Sequence, residues 1–153
     1  MQKSRKSLIV QISFALYCLV MLWLLFARVH GAERSYNLTP LHTIRGYFDI
    51  LRHYQIYGDG LRQYAIVNFA GNVFLFVPLG LFLPQLWAGE RRFWIFLLTV
   101  MLAISFVEVM QYLTYTGAMD IDDLFLNTLG ACLGFCLWHR KGPFSAKCRA
   151  RSS

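Results

Sequence analysis

The chain has 153 residues, of which 57% are hydrophobic and only 15% charged. That balance excludes an ordinary soluble domain, and with about half the residues in apolar runs there is no room for a separate soluble catalytic domain. The formal net charge of +7 would suit a nucleic-acid partner, but the basic residues are dispersed between apolar segments, so no nucleic acid is expected.

Residues 1–7 form a short basic N-terminus with Lys3, Arg5 and Lys6. Residues 8–27 are the first run long enough to cross ~30 Å of hydrocarbon. A signal peptide also starts with basic residues, but its apolar region is usually only ~7–15 residues long. Arg28-Val29-His30-Gly31-Ala32 is moreover a poor cleavage site, so a retained helix is expected.

A loop of residues 28–65 follows. Thr39-Pro40 has the form of an N-cap with proline at the first helical position. Beyond it, Leu41, Ile44, Tyr47, Phe48, Leu51 and Tyr54 recur at helical spacing, while His42, Arg45, Asp49, Arg52 and His53 take the other side. This pattern predicts an amphipathic helix lying in the membrane interface. Gly58-Asp59-Gly60 should then turn the chain into the second span.

The remaining spans are expected at about residues 66–88, 93–115 and 120–138, the last reaching spanning length only if it starts near Asp120. Residues 139–153 form a basic, mobile tail. The fold class is therefore all-α: an integral membrane protein with four transmembrane helices and one interfacial helix in the first outer loop. With both termini in the cytoplasm, ten Lys and Arg lie on the inner side and five on the outer, as the positive-inside bias requires. The expected location is the bacterial cytoplasmic membrane. Cys18, Cys132 and Cys136 fall in helices and Cys148 in the tail, so no disulfide framework is implied.

The polar residues within the spans carry the functional signal. Counted from the outer ends of their helices, Asn72 lies ~9 Å deep and Glu108 and Asn127 ~7.5 Å deep. Three helices thus place polar groups at one level. In a helix starting near Asp120, Asp120, Asp123, Asn127, Gly130 and Gly134 share a sector of roughly 80°. An ionisable residue such as Glu108 at this depth costs several kcal/mol unless it faces a partner or water.

The expected binding pocket comprises Asn72, Glu108, Gln111, Asp120, Asp122, Asp123 and Asn127, with Asn37, His42 and Arg45 as loop contributors. Pro78, Gly80, Gly130 and Gly134 are read as helix-packing positions. Asp120, Asp122, Asp123 and Glu108 are hard oxygen donors and the candidate ligands of a divalent cation, Mg²⁺ or Ca²⁺. The blander readings are an N-cap role for Asp120 or Asp122 and interhelical hydrogen bonding for the asparagines.

These residues also carry a resemblance. Residues 37–44 (Asn-Leu-Thr-Pro-Leu-His-Thr-Ile), 71–80 (Gly-Asn-Val-Phe-Leu-Phe-Val-Pro-Leu-Gly), 108–111 (Glu-Val-Met-Gln) and 120–123 (Asp-Ile-Asp-Asp) with Asn127, Gly130 and Gly134 are similar to the VanZ-like family of small bacterial membrane proteins. The agreement in order and spacing runs over about residues 36–138. Leu41 stands where the family often has Phe, a change expected to affect packing only. Gly117-Ala118-Met119 stands where many relatives place an Arg, which removes a counter-ion and weakens any anion-binding role there. The resemblance implies a multi-span protein and, in some relatives, teicoplanin resistance; it implies no catalytic roles.

Three functions are consistent with these features. The first is an envelope factor whose outer pocket binds membrane lipids or lipid-linked envelope precursors. The second is a metal-assisted membrane enzyme acting on a lipid-carried phosphoryl substrate. The third is a scaffold for another membrane protein.

Overall fold

The computed structural model describes residues 2–27 and 36–141. Of the expected tail, residues 139–141 prolong the last helix, and residues 142–153, with Cys148, lie outside the described residues. Four helices are long and apolar enough to span a membrane: α1 (Gln2–Phe26), α3 (Tyr54–Leu86), α4 (Phe93–Thr114) and α5 (Ile121–Lys141). A shorter helix, α2 (His42–Arg52), precedes α3, and a 3₁₀ turn (Gly89–Arg91) joins α3 to α4. The helices leave large apolar side chains such as Leu16, Trp23, Phe74, Trp94, Phe106 and Leu129 exposed on the bundle surface. In water such a surface would be untenable; in hydrocarbon it costs nothing, because lipid tails are as apolar as leucine.

The centre of the bundle is the α3–α5 pair. No hydrophobic force draws helices together in lipid, so close approach relies on small residues. A Cβ added to Gly80 would lie 1.9 Å from the Ala131 carbonyl oxygen, and one on Gly130 or Gly134 would lie 2.0 Å from the Val73 or Val77 carbonyl oxygen. The two backbones therefore touch along a seam of glycines. Beside it, Phe76, Leu83, Phe96, Val100, Ile104, Ala131 and Phe135 form the buried core. By contrast α1 is peripheral, with only Met21 of its described side chains fully buried. Its Tyr17 hydroxyl donates to the Leu75 carbonyl (2.9 Å) and so fastens α1 to α3.

Helix α3 differs from the expected second span in starting earlier. It begins at Tyr54 and is broken only at Gly58, whose φ of 81° and ψ of 165° suit glycine alone. The Gly-Asp-Gly motif thus acts as a kink in a helix that continues on both sides.

Two short strands, β1 (Tyr36–Asn37) and β2 (Met119–Asp120), pair in parallel, Tyr36 opposite Met119 and Asn37 opposite Asp120. They fasten the segment before α2 to the segment before α5 at one end of the bundle.

Candidate functional site

The site is built where β2 meets α5. Asp120 is not helical but the last residue of β2, so it leaves the shared helix face expected of it. Its carboxylate accepts hydrogen bonds from the Thr43 hydroxyl (2.5 Å), the Asn37 amide (3.2 Å) and the Asp122 backbone N–H (2.9 Å). The last of these is the local N-terminal cap of α5. The Thr43 hydroxyl in turn accepts from Asn37 Nδ2 (3.0 Å), which closes a ring of three side chains.

Asp122 makes the more consequential contacts. It is completely buried, at 0% exposure, and points away from its own helix. Oδ1 accepts from the Leu41 N–H at 2.6 Å, and Oδ2 from the Thr43 and Ile44 N–H groups at 2.8 and 3.1 Å. These are among the orphan donors that every helix N-terminus exposes. Asp122 therefore caps α2 from another helix, and its negative charge complements the positive end of the α2 dipole.

That contact corrects one expectation. Thr39-Pro40 does not start the helix: α2 begins at His42, and its cap position, Leu41, has left-handed backbone (φ 63°) and no side-chain cap of its own. Thr39 belongs instead to a turn in which its N–H donates to Asn37 Oδ1 (3.1 Å). The Leu41 backbone N–H is one of the three held by Asp122, whichever side chain the position carries.

Replacing Thr43 by valine preserves shape but deprives Asp120 and Asn37 of a shared partner. The expected cost is about 1–3 kcal/mol, because buried polar groups are left unmatched. The thermal midpoint of the purified protein in detergent should fall with Thr43→Val and recover with Thr43→Ser.

The other polar residues converge from α3 and α4. Asn72 Nδ2 donates to Asp123 Oδ1. Glu108, buried, accepts from the Asp120 backbone N–H at 3.3 Å. Asn127 is buried on the α5 seam, and its carbonyl oxygen has no hydrogen-bond partner. Asn37, Glu108, Asp120 and Asp122 are thus joined through direct hydrogen bonds, Asn72 and Asp123 form a second bonded pair, and Asn127 lies one turn further along α5.

Gln111, His42 and Arg45 are placed elsewhere. Gln111 Nε2 donates to the Leu25 carbonyl (2.9 Å) and ties α4 to α1. His42 and Arg45 line a shallow groove with Gly46, Phe48, Asp49 and Arg52 on the exposed side of α2. Their spacing puts them on the polar face of the amphipathic helix, whereas Asp122 grips its N-terminus from below.

Two residues join the site that the sequence reading did not include. Thr43 is one; it stands inside the 37–44 stretch that carries the resemblance, but its residue type alone does not mark it as the partner of Asp120 and Asn37. Tyr47 is the other, read as part of the apolar face. It is buried against Tyr64, and burial, then the nearby Asp123 carboxylate, hold its hydroxyl proton well above the usual tyrosine range. Its hydroxyl therefore keeps its proton beside the acid cluster.

Among the described residues, no three His, Cys, Asp or Glu side chains are arranged to hold a metal ion. All four carboxylate oxygens of Asp120 and Asp122 are engaged by N–H or O–H donors, and such donors point positive charge where a cation would have to sit.

Four apolar helices around a glycine seam, with a buried acidic and carboxamide cluster capping an interfacial helix, define a multi-pass membrane protein with an internal polar site at one end. A family model for VanZ/LLP1 matches residues 14–142, and the chain belongs to that family. Protein VanZ of Enterococcus faecium is 26% identical over 132 residues, which cover 81% of this chain and 70% of that protein. No solved structure matches the chain.

Proposed function

We propose that this chain is an envelope factor of the bacterial cytoplasmic membrane whose α2 end faces outward and receives the head group of a lipid or lipid-linked envelope precursor. By occupying or altering such lipids it would reduce sensitivity to teicoplanin-type lipoglycopeptides, the property implied by resemblance to VanZ-like proteins. The orientation, with both termini in the cytoplasm, is supported by the ten-to-five distribution of Lys and Arg.

The observation that carries the reading is the joining of α2 to the acid cluster. An amphipathic helix with a polar face of His42, Arg45, Asp49 and Arg52 is held at its N-terminus by Asp122, in the same acidic motif whose Asp120 N–H bonds the buried Glu108. Ionisable groups inside a membrane span are costly, and they mark sites where a polar ligand or pathway repays that cost. Here the ligand would approach along the interface, the depth at which head groups lie.

The test is teicoplanin susceptibility, with vancomycin as control, in a sensitive Gram-positive host expressing the chain at matched membrane levels. Wild type should protect selectively against teicoplanin, and Asp123→Asn or Glu108→Gln should abolish that protection without changing abundance. A correctly inserted wild-type protein that protects against neither drug would sink the proposal.

A further inference from the structure

The four acids of the site fall into two pairs. Asp120 and Asp122 have each carboxylate oxygen on a protein donor. Glu108 and Asp123 do not. Glu108, 6% exposed, accepts a single 3.3 Å bond, and Asp123 accepts only from Asn72.

Asn127 adds an independent signal. It is 4% exposed, and its carbonyl oxygen is buried with no partner. Asp123 meets Asn72, Gly130 meets the Val73 backbone and Gly134 meets the Val77 backbone. Asn127, one turn after Asp123 and three residues before Gly130, therefore faces the same α3 seam. A buried acceptor without a donor is expensive enough to require explanation.

This corner has a surplus of acceptors and a deficit of positive donors. Among the described residues no Lys, Arg or His forms an ion pair with Glu108 or Asp123. The Tyr47 hydroxyl, though near, donates to neither. A primary ammonium carries three donors and no acceptor, which matches Glu108, Asp123 and Asn127 one for one. Ca²⁺ would need ~6–8 oxygens, and a quaternary ammonium is recognised by aromatic faces in place of acceptor atoms.

We infer that Glu108, Asp123 and Asn127 form a receptor for a primary ammonium group carried on a lipid head group. This rests on the reading that the α2 end receives a head group, and it narrows that head group to an aminated one. In this proposal the ammonium is bonded to the two carboxylates and the carboxamide where α4 meets the α3-facing side of α5, while the acyl chains remain in the surrounding bilayer.

The experiment uses the full chain, purified after exposure to an equimolar mixture of phosphatidylethanolamine, phosphatidylcholine and phosphatidylglycerol, with retained lipid quantified by native mass spectrometry. Phosphatidylethanolamine should be retained over phosphatidylcholine by about tenfold, the scale of one charge-assisted hydrogen-bond set. Glu108→Gln and Asn127→Leu should each remove the preference, and Asp123→Asn serves if either variant fails to fold. Displacement by ethanolamine as effective as by the lipid would keep the ammonium site but assign it to a free amine. Equal retention of the ethanolamine and choline lipids by wild type, or a preference unchanged by all three variants, overturns the inference. A preference for phosphatidylglycerol overturns it while leaving head-group binding intact; retention of no lipid overturns both.

Discussion

Replacing Asp122 by alanine is expected to release α2 from the bundle. The variant loses three hydrogen bonds to a carboxylate and leaves the Leu41, Thr43 and Ile44 N–H groups without partners. Loss of a cap costs about 0.5–2 kcal/mol when one neutral bond is involved, and bonds to a charged group are worth roughly 1.5–3 kcal/mol each. Several such bonds at a fully buried site place the expected loss at about 3 kcal/mol or more. The polar Asp122→Asn variant retains one acceptor oxygen and should lose less, about 1–2 kcal/mol.

Hydrogen exchange reads the effect directly. The amides of Thr43 and Ile44 should be among the slower-exchanging groups of α2 in the wild type and become fast in Asp122→Ala, while the amides of α4 keep their protection. Equal protection of Thr43 and Ile44 in both proteins would show that Asp122 is not the cap. The outcome also separates two roles within the acidic motif. Asp122 holds the helix that covers the site, whereas Asp123 belongs to the site itself. A loss of drug protection in Asp122 variants would thus follow from displacement of α2, which is why Asp123 and Glu108 are the informative positions for function.

Alanine at Gly130 should be strongly damaging although it adds a single methyl group. Its Cβ would stand 2.0 Å from the Val73 carbonyl oxygen and 2.9 Å from the carbonyl carbon. The obstacle is backbone, which cannot rotate aside as a side chain does, so α3 and α5 must separate along the seam. Overpacking in a well-filled interior costs about 1–3 kcal/mol and more when backbone must shift. The upper end of that range is expected for Gly130→Ala, as for Gly80→Ala and Gly134→Ala. Gly71→Ala is the control, since a Cβ there meets nothing within 4 Å. It should be neutral or slightly stabilising, because alanine is favoured over glycine in a helix by about 1 kcal/mol. Thermal midpoints in detergent, compared across the four variants, check the pattern; equal effects at positions 71 and 130 would refute the close seam.

Much of this molecule is legible in its sequence because hydrocarbon imposes few solutions. Spans of about 20 apolar residues are set by bilayer thickness and helix rise, and the glycine spacing on α5 marks the packed face without any knowledge of the partner. The amphipathic pattern of residues 41–54 likewise anticipates α2, and its buried Tyr47 and exposed Arg45 fall on the expected sides. The asparagines, glutamate and aspartates of the site are recognisable because apolar helices seldom carry them.

The assignments that failed are those in which a local rule met a distant partner. Thr39-Pro40 satisfies every local criterion of a helix start, yet the cap comes from Asp122, 81 residues beyond Leu41. Gln111 lies on the polar stripe of α4 but is drawn to a carbonyl of α1, 86 residues away. Asp120 occupies a short strand, so the angular argument that grouped it with Asn127 holds only from residue 121 onward.

Length, composition and helical period suffice to say which segments are long and apolar enough to span a membrane and which helix faces are small or polar. The tertiary structure alone decided which carboxylate serves which donor. An orphan N–H must be satisfied wherever it is buried, but the requirement names no partner. The pairing of β1 with β2 brings the segment before α5 against the segment before α2, where Asp122 reaches the α2 N–H groups, and it is packing in three dimensions that leaves the Asn127 carbonyl oxygen buried without a donor.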